Sequence, residues 1–114
     1  MSIVKCLSLV IAMEARNQSD RTKALVADVA IERAKQEGLG LCESMKKPRA
    51  YSWYWDRKHT KLKPEVLKEA EVIAIKELKS PTITGRYFFN ECKAPKKKYK
   101  TPNSVIKSER LCFY

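Results

Sequence analysis

Glycine is scarce in this chain, at 3 of 114 residues, and histidine occurs once, as His59. There is no Gly-rich loop that could cradle a phosphate and no Gly-x-Ser-x-Gly nucleophile elbow. A single histidine cannot build a His-based metal centre. His59 lies in a polar, basic stretch, so it is assigned no role, and neither a metal nor a cofactor is expected. Long apolar runs are also missing. The longest, Leu7 to Met13, falls well short of the roughly 20 residues that a spanning helix needs. Met1 and Lys5 in front of it give a faint likeness to a signal peptide. No small-residue cleavage site follows, and the run continues into Glu14-Ala15-Arg16. The expectation is a folded helix, with no export signal and no transmembrane segment. Acidic residues are few beside basic ones, 13 against 24, and the net charge of +11 calls for an anionic partner.

The four cysteines stand 36, 50 and 20 residues apart, so no two have metal-ligand spacing. They read as buried free thiols packed as small apolar side chains, with a disulfide pair as the alternative. A chain of 114 residues fits one core, hence one domain over 1–114.

Periodicity then places the elements. Ile3, Leu7, Val10 and Glu14 share a helical stripe, widened by Leu9, Ile11 and Met13, which predicts a helix over 2–16. Asn17-Gln18 breaks it, and Ser19 or Asp20 can cap a second helix over 19–37. Gly38 and Gly40 stop that helix by tolerating left-handed backbone. Leu41 to Lys47 reads as a short helical turn. Lys46 to Lys63 reads as a loop, with seven basic residues and one acid, Asp56. Pro64 opens a helix over 64–79, which Ser80-Pro81 ends. Arg86 to Phe89 reads as a strand after the Thr84-Gly85 turn, and Leu111 to Tyr114 as another. The sum is an α+β chain, mostly helical, with a short C-terminal antiparallel β element.

Three features could carry chemistry. Glu14 lies on the apolar stripe of a helix that must be buried. A carboxyl half-sunk in apolar surroundings holds its proton near neutral pH, as a general acid for glycoside cleavage must. The plainer reading pairs it with Arg16, Arg21 or Arg33. The aromatic run Tyr51-Ser52-Trp53-Tyr54-Trp55 offers ring faces for sugars, or for bases; it also describes a half-buried strand. Lys96-Lys97-Lys98, flanked by Lys93 and Lys100, is an electrostatic attractor and not a site.

Together these residues give the chain a family likeness. Glu14, Ala15, Arg16, Ser19, Val26, Ala27, Val29 and Arg33 match, without a gap, the Glu-Ala-Arg opening and following helix of the SleB-like cell wall hydrolases. That family includes spore-cortex-lytic enzymes and phage endolysins. Tyr51-Ser52-Trp53 resembles its aromatic-Ser-Trp stretch. Thr84-Gly85 and Tyr87-Phe88-Phe89-Asn90 resemble its turn and aromatic strand, and Phe113-Tyr114 its ending. There are departures too. The family's Gly-Glu is Asn17-Gln18 here, its strand histidine is replaced at or beside Phe89, and its C-terminal histidine corresponds to Leu111.

The resemblance implies a small lysozyme-like domain that cleaves the glycan strand of peptidoglycan between MurNAc and GlcNAc. It makes Glu14 the catalytic acid. Tyr51, Ser52, Trp53, Trp55, Thr84, Gly85, Tyr87 and Asn90 would be substrate-binding, and Arg16 and Arg33 structural beside them. Loss of the second carboxylate favours a lytic transglycosylase with one acid. Asp20, Asp28, Glu32 and Asp56 are the remaining candidates for a hydrolase's second carboxylate. The expected setting is a phage endolysin, a monomer made in the host cytoplasm and released to periplasmic peptidoglycan. The lysine-rich segments would hold it on the anionic envelope, with no stable nucleic-acid partner. A basic nucleic-acid-binding module and a catalytically dead wall-binding relative are the alternatives.

Overall fold

The computed structural model describes residues 1–48, 50–92 and 105–114. The lysine run Lys93–Lys100 lies outside the described residues, as does Arg49. Five helices come first: α1 (Ile3–Ala15), α2 (Asp20–Glu37), α3 (Leu41–Met45), α4 (Ser52–Trp55) and α5 (Pro64–Lys79). A 3-10 turn, Lys58–Lys61, lies between α4 and α5. Three short strands close the chain: β1 (Phe89–Glu91), β2 (Ile106–Ser108) and β3 (Leu111–Phe113). They form an antiparallel sheet in the order β1-β3-β2. The fold is a small, mostly helical α+β arrangement, as expected.

α1 is the central element. Cys6 through Ala12 and Ala15 are all buried, so the helix is covered nearly all round. It packs against α5, α2 and α3. Ile3, expected on its buried stripe, is about half exposed. The caps follow the sequence. Ser2 and Ser19 side chains accept from Lys5 N and Thr22 N, satisfying amides that have no partner in the first turn. Gly38 closes α2 at φ +69°, its N–H donating to Ala34 O and Lys35 O. Gly40 does not share this role. It is extended, at φ −67°, and opens α3.

Other expectations need correction. The Lys46–Lys63 segment is not a plain loop: Ser52–Trp55 coil into a helical turn because Trp53 is drawn inward and buried. The strand expected at Arg86–Phe89 starts only at Phe89. Before it, Tyr87 and Phe88 donate their N–H groups to Tyr114 O. The strand β2 was not foreseen. It forms a hairpin with β3 through Glu109-Arg110, with Glu109 at φ +54°. The Glu109 side chain accepts from Ser19 N (2.5 Å) and Thr22 Oγ1 (2.8 Å), tying the sheet to the start of α2.

The cysteines are not free thiols. Cys6 bonds to Cys42, joining α1 to α3, and Cys92 bonds to Cys112, joining the end of β1 to β3. Two buried carboxyls anchor the link from α5 to the sheet. Asp28 accepts from Ile83 N, Thr84 N and Thr84 Oγ1, and Glu77 accepts from the N and Oγ1 of Thr82. No helix among the described residues is long and apolar enough to cross a membrane.

Closing loops of 36 and 20 residues is worth about 4 and about 3 kcal/mol on chain-entropy grounds. Cys6→Ser/Cys42→Ser should therefore lower the unfolding free energy by about 4 kcal/mol, read from urea midpoints. Reductant should affect the wild type and leave a variant with all four cysteines replaced unmoved.

Candidate functional site

The geometry of Glu14 follows from its position in the last turn of α1. The apolar residues before it bury the helix, and the chain turns outward at Arg16, leaving Glu14 half-buried at the edge of the core. Trp53, carried inward by α4, donates its indole N–H to Glu14 Oε1 at 2.8 Å. Burial raises the Glu14 pKa above its ordinary value; the Trp53 hydrogen bond and the Arg33 charge oppose this and do not cancel it. The direct ion pair with Arg16, Arg21 or Arg33 is not formed. Arg33 instead donates from Nε to Tyr87 O at 3.0 Å and lies over the rings of Phe88 and Tyr51, 5.0 and 5.7 Å from their centroids.

Two cavities meet at Glu14. One, of about 510 Å³, is bordered by Arg33, Glu37, Lys47, Tyr51 and Ser52. The other, of about 420 Å³, is bordered by Arg16, Asn17, Gln18, Glu91 and Arg110. Glu14, Phe89 and Asn90 line both. The arrangement is therefore a groove with two arms and a carboxyl at their junction, roofed by β1.

Of the residues singled out in the sequence, Glu14, Arg16, Arg33, Tyr51, Ser52 and Asn90 line this groove. Trp53 reaches it through the hydrogen bond to Glu14. Tyr51 is buried, and burial pushes its phenol up to about 12, so it stays a neutral hydroxyl. Thr84, Gly85 and Tyr87 stand behind the groove. Thr84 is buried on Asp28, Gly85 takes a turn at φ +67°, and the Tyr87 carbonyl holds Arg33. Trp55 lies elsewhere: it is 58% exposed and borders a separate depression with Met1, Tyr54, Arg57 and His59.

None of Asp20, Asp28, Glu32 or Asp56 borders the two cavities. Asp28 is committed to the 83–84 backbone, and Glu32 faces Lys35 at 3.6 Å. Two other carboxylates share an arm with Glu14, Glu91 in one and Glu37 in the other, and Glu37 is the one held by polar partners. It accepts from Ser44 Oγ at 2.6 Å and from Lys47 Nζ at 2.5 Å. Burial pushes the Glu37 pKa up, but these two partners outweigh it and bring it below the ordinary value. One signal pointed to Glu37: it follows Arg33 by four residues and so shares its helix face. Arg110 had no such signal, because only the β2–β3 hairpin brings it to the groove.

The chain matches no family model, no curated protein and no solved structure.

A carboxyl whose pKa is raised by folding destabilises the fold once it ionises. Stability is fully kept below the free-chain value of 4.5 and falls as pH rises through the higher folded value. Glu14→Gln, which keeps an acceptor for Trp53, should thus unfold at a higher temperature than the wild type at pH 8. Below pH 4.5 the two melting curves should converge.

Proposed function

We propose that this chain is a peptidoglycan-degrading enzyme of lysozyme-like fold, with Glu14 as its acid. The observation that carries the reading is a half-buried carboxyl, its pKa raised by burial, at the junction of two groove arms. A glycan strand laid along such a groove would cross Glu14 with sugars on both sides. The likeness of the Glu14–Arg33 segment, and of the later aromatic motifs, to SleB-like cell wall hydrolases supports the same reading.

In the mechanism we favour, the Glu14 proton passes to the glycosidic oxygen as the bond from that oxygen to the MurNAc anomeric carbon breaks. The resulting carboxylate then takes the proton of the MurNAc 6-hydroxyl. That oxygen bonds to the anomeric carbon and closes an anhydro ring, so no water is consumed. Trp53 is suited to hold Glu14 in both states, because its N–H donates to carboxyl and carboxylate alike. Arg33 favours the anion between the two proton transfers.

One observation favours a second reading. Glu37, ionised by Lys47 and Ser44 and bordering the same arm, could serve as the second carboxylate of a muramidase that adds water. The nucleic-acid reading has less support, since Tyr51 and Trp53 of the aromatic run are buried and Trp55 is its one largely exposed ring.

The proposed setting is a phage endolysin that acts as a monomer outside the reducing cytosol, where both disulfides persist. The net charge of +11 would hold it on the anionic envelope.

Purified protein should clear a peptidoglycan gel, and Glu14→Gln should lose on the order of a hundredfold or more in rate. Equal clearing by the variant overturns the assignment. Muropeptides lighter by one water than hydrolytic products identify the transglycosylase; in the hydrolase they carry reducing ends, and Glu37→Gln is then as damaging as Glu14→Gln. Activity should fall as pH rises through the Glu14 pKa, and with added salt.

A further inference from the structure

The two arms differ in how their polar groups are employed. In the Glu37 arm the polar groups are partnered within the protein: Lys47 and Ser44 on Glu37, and Tyr87 O with two ring faces on Arg33. In the other arm they are not. Arg16, just past α1, and Arg110, in the β2–β3 turn, border the cavity without an ion pair to any described residue. Gln18 borders it too, and its Oε1 is buried with no hydrogen-bond partner among the described residues. Buried acceptors are rarely left in this state; a water, an ion or a ligand usually fills them.

The scaffold under these groups is firm. The Arg110 carbonyl accepts from Cys92 N at 2.8 Å, and the Cys92–Cys112 disulfide fixes the same corner. Met13, Phe89 and Leu111 give the arm an apolar lining. Asn17 and Asn90 add amides, and Glu91 is the other carboxylate besides Glu14.

Two guanidinium groups suit a carboxylate, and an amide oxygen suits an N–H donor. Where its lactyl carboxyls are held as amides a glycan strand supplies no anion of its own, whereas the attached peptide supplies carboxylate and N–H together. In peptidoglycan such a peptide hangs from the lactyl group of each MurNAc, next to the bond that Glu14 would act on. Resting on the functional reading above, we propose that the Arg16–Arg110 arm binds this stem peptide: the two arginines take a peptide carboxylate and Gln18 takes a peptide N–H. Glu91 then suits the side-chain amine of a diamino acid within the stem. The substrate of the groove is accordingly a peptide-bearing glycan strand, and not a bare one.

Two measurements test this. The first compares cleavage of intact peptidoglycan with the same material stripped of its peptides by an amidase and then capped as methylamides at the freed lactyl carboxyls. A charge-assisted contact of ordinary strength predicts that the wild type prefers the intact polymer by about tenfold or more. In Arg16→Gln/Arg110→Gln that ratio should fall to about one, with thermal unfolding confirming that the variant is folded. Equal rates of wild type on the two polymers, or an unchanged ratio in the double variant, overturn the proposal. The second titrates isotope-labelled Glu14→Gln protein with N-acetylmuramic acid bearing its tripeptide, and with the methylamide of N-acetylmuramic acid, a bare sugar without a free carboxylate. The peptide form should shift the Gln18 amide and the Arg16 and Arg110 guanidinium signals, and the bare sugar should not. Shifts with neither ligand, or the same shifts with both, overturn it. Failure to cleave either polymer sinks the enzymatic reading, and the titration then decides the peptide site by itself.

Discussion

The burial of α1 is the constraint on which the remainder depends. A helix covered on nearly every side must sit in the middle of the molecule, and its one carboxylate stands in its last turn. There Glu14 is disfavoured as an anion twice, by the apolar surroundings and by the negative end of the helix dipole. The helices α2, α3 and α5 supply the cover, and they have their own reasons to be where they are: Ser19 and Gly38 fix the ends of α2, Pro64 the start of α5. Nothing at the groove needs to be strained to give Glu14 its character. It follows from where the core ends.

The C-terminal sheet works differently. Three strands of three residues each are too short to stand alone. They are held by what they touch: Glu109 and Ser108 on the first turn of α2, Phe113 in the core, and the covalent link at Cys92–Cys112. That explains how so small a sheet can position Phe89, Asn90 and Arg110 around Glu14. The sheet is less a core element than a clamp across the groove, and the loop that leads to it is clamped in turn by Asp28 and Glu77.

Much of this was readable in the residues, and the remainder was not for definable reasons. The three long helices are visible because each carries sustained 3.6-residue periodicity and recognisable end signals. The turn Ser52–Trp55 is not, because its aromatic residues have no strong helical preference and the coil is set by where Trp53 docks. Ile106–Ser108 has no pattern of its own, and its strand exists because β3 is there to pair with. The cysteine pairs are set by spatial approach, which linear spacing does not encode. At the site, Glu14, Tyr51, Ser52 and Asn90 border one groove. Thr84, Gly85 and Tyr87 turn out to brace the groove from behind, and Trp55 faces away from it. Arg110 and Gln18 could only be found in three dimensions.

The contact between Trp53 and Glu14 has a consequence outside chemistry. The chain has two tryptophans, one buried with its indole on the carboxyl and one mostly in water. Indole emission responds to whether a neighbouring carboxyl carries a charge, and the solvated ring of Trp55 gives a steady background against which to see it. The site therefore carries its own optical reporter: a change at the Glu14 carboxyl reaches the light emitted by Trp53, as does a change at His59, whose ring lies 5.8 Å from the indole.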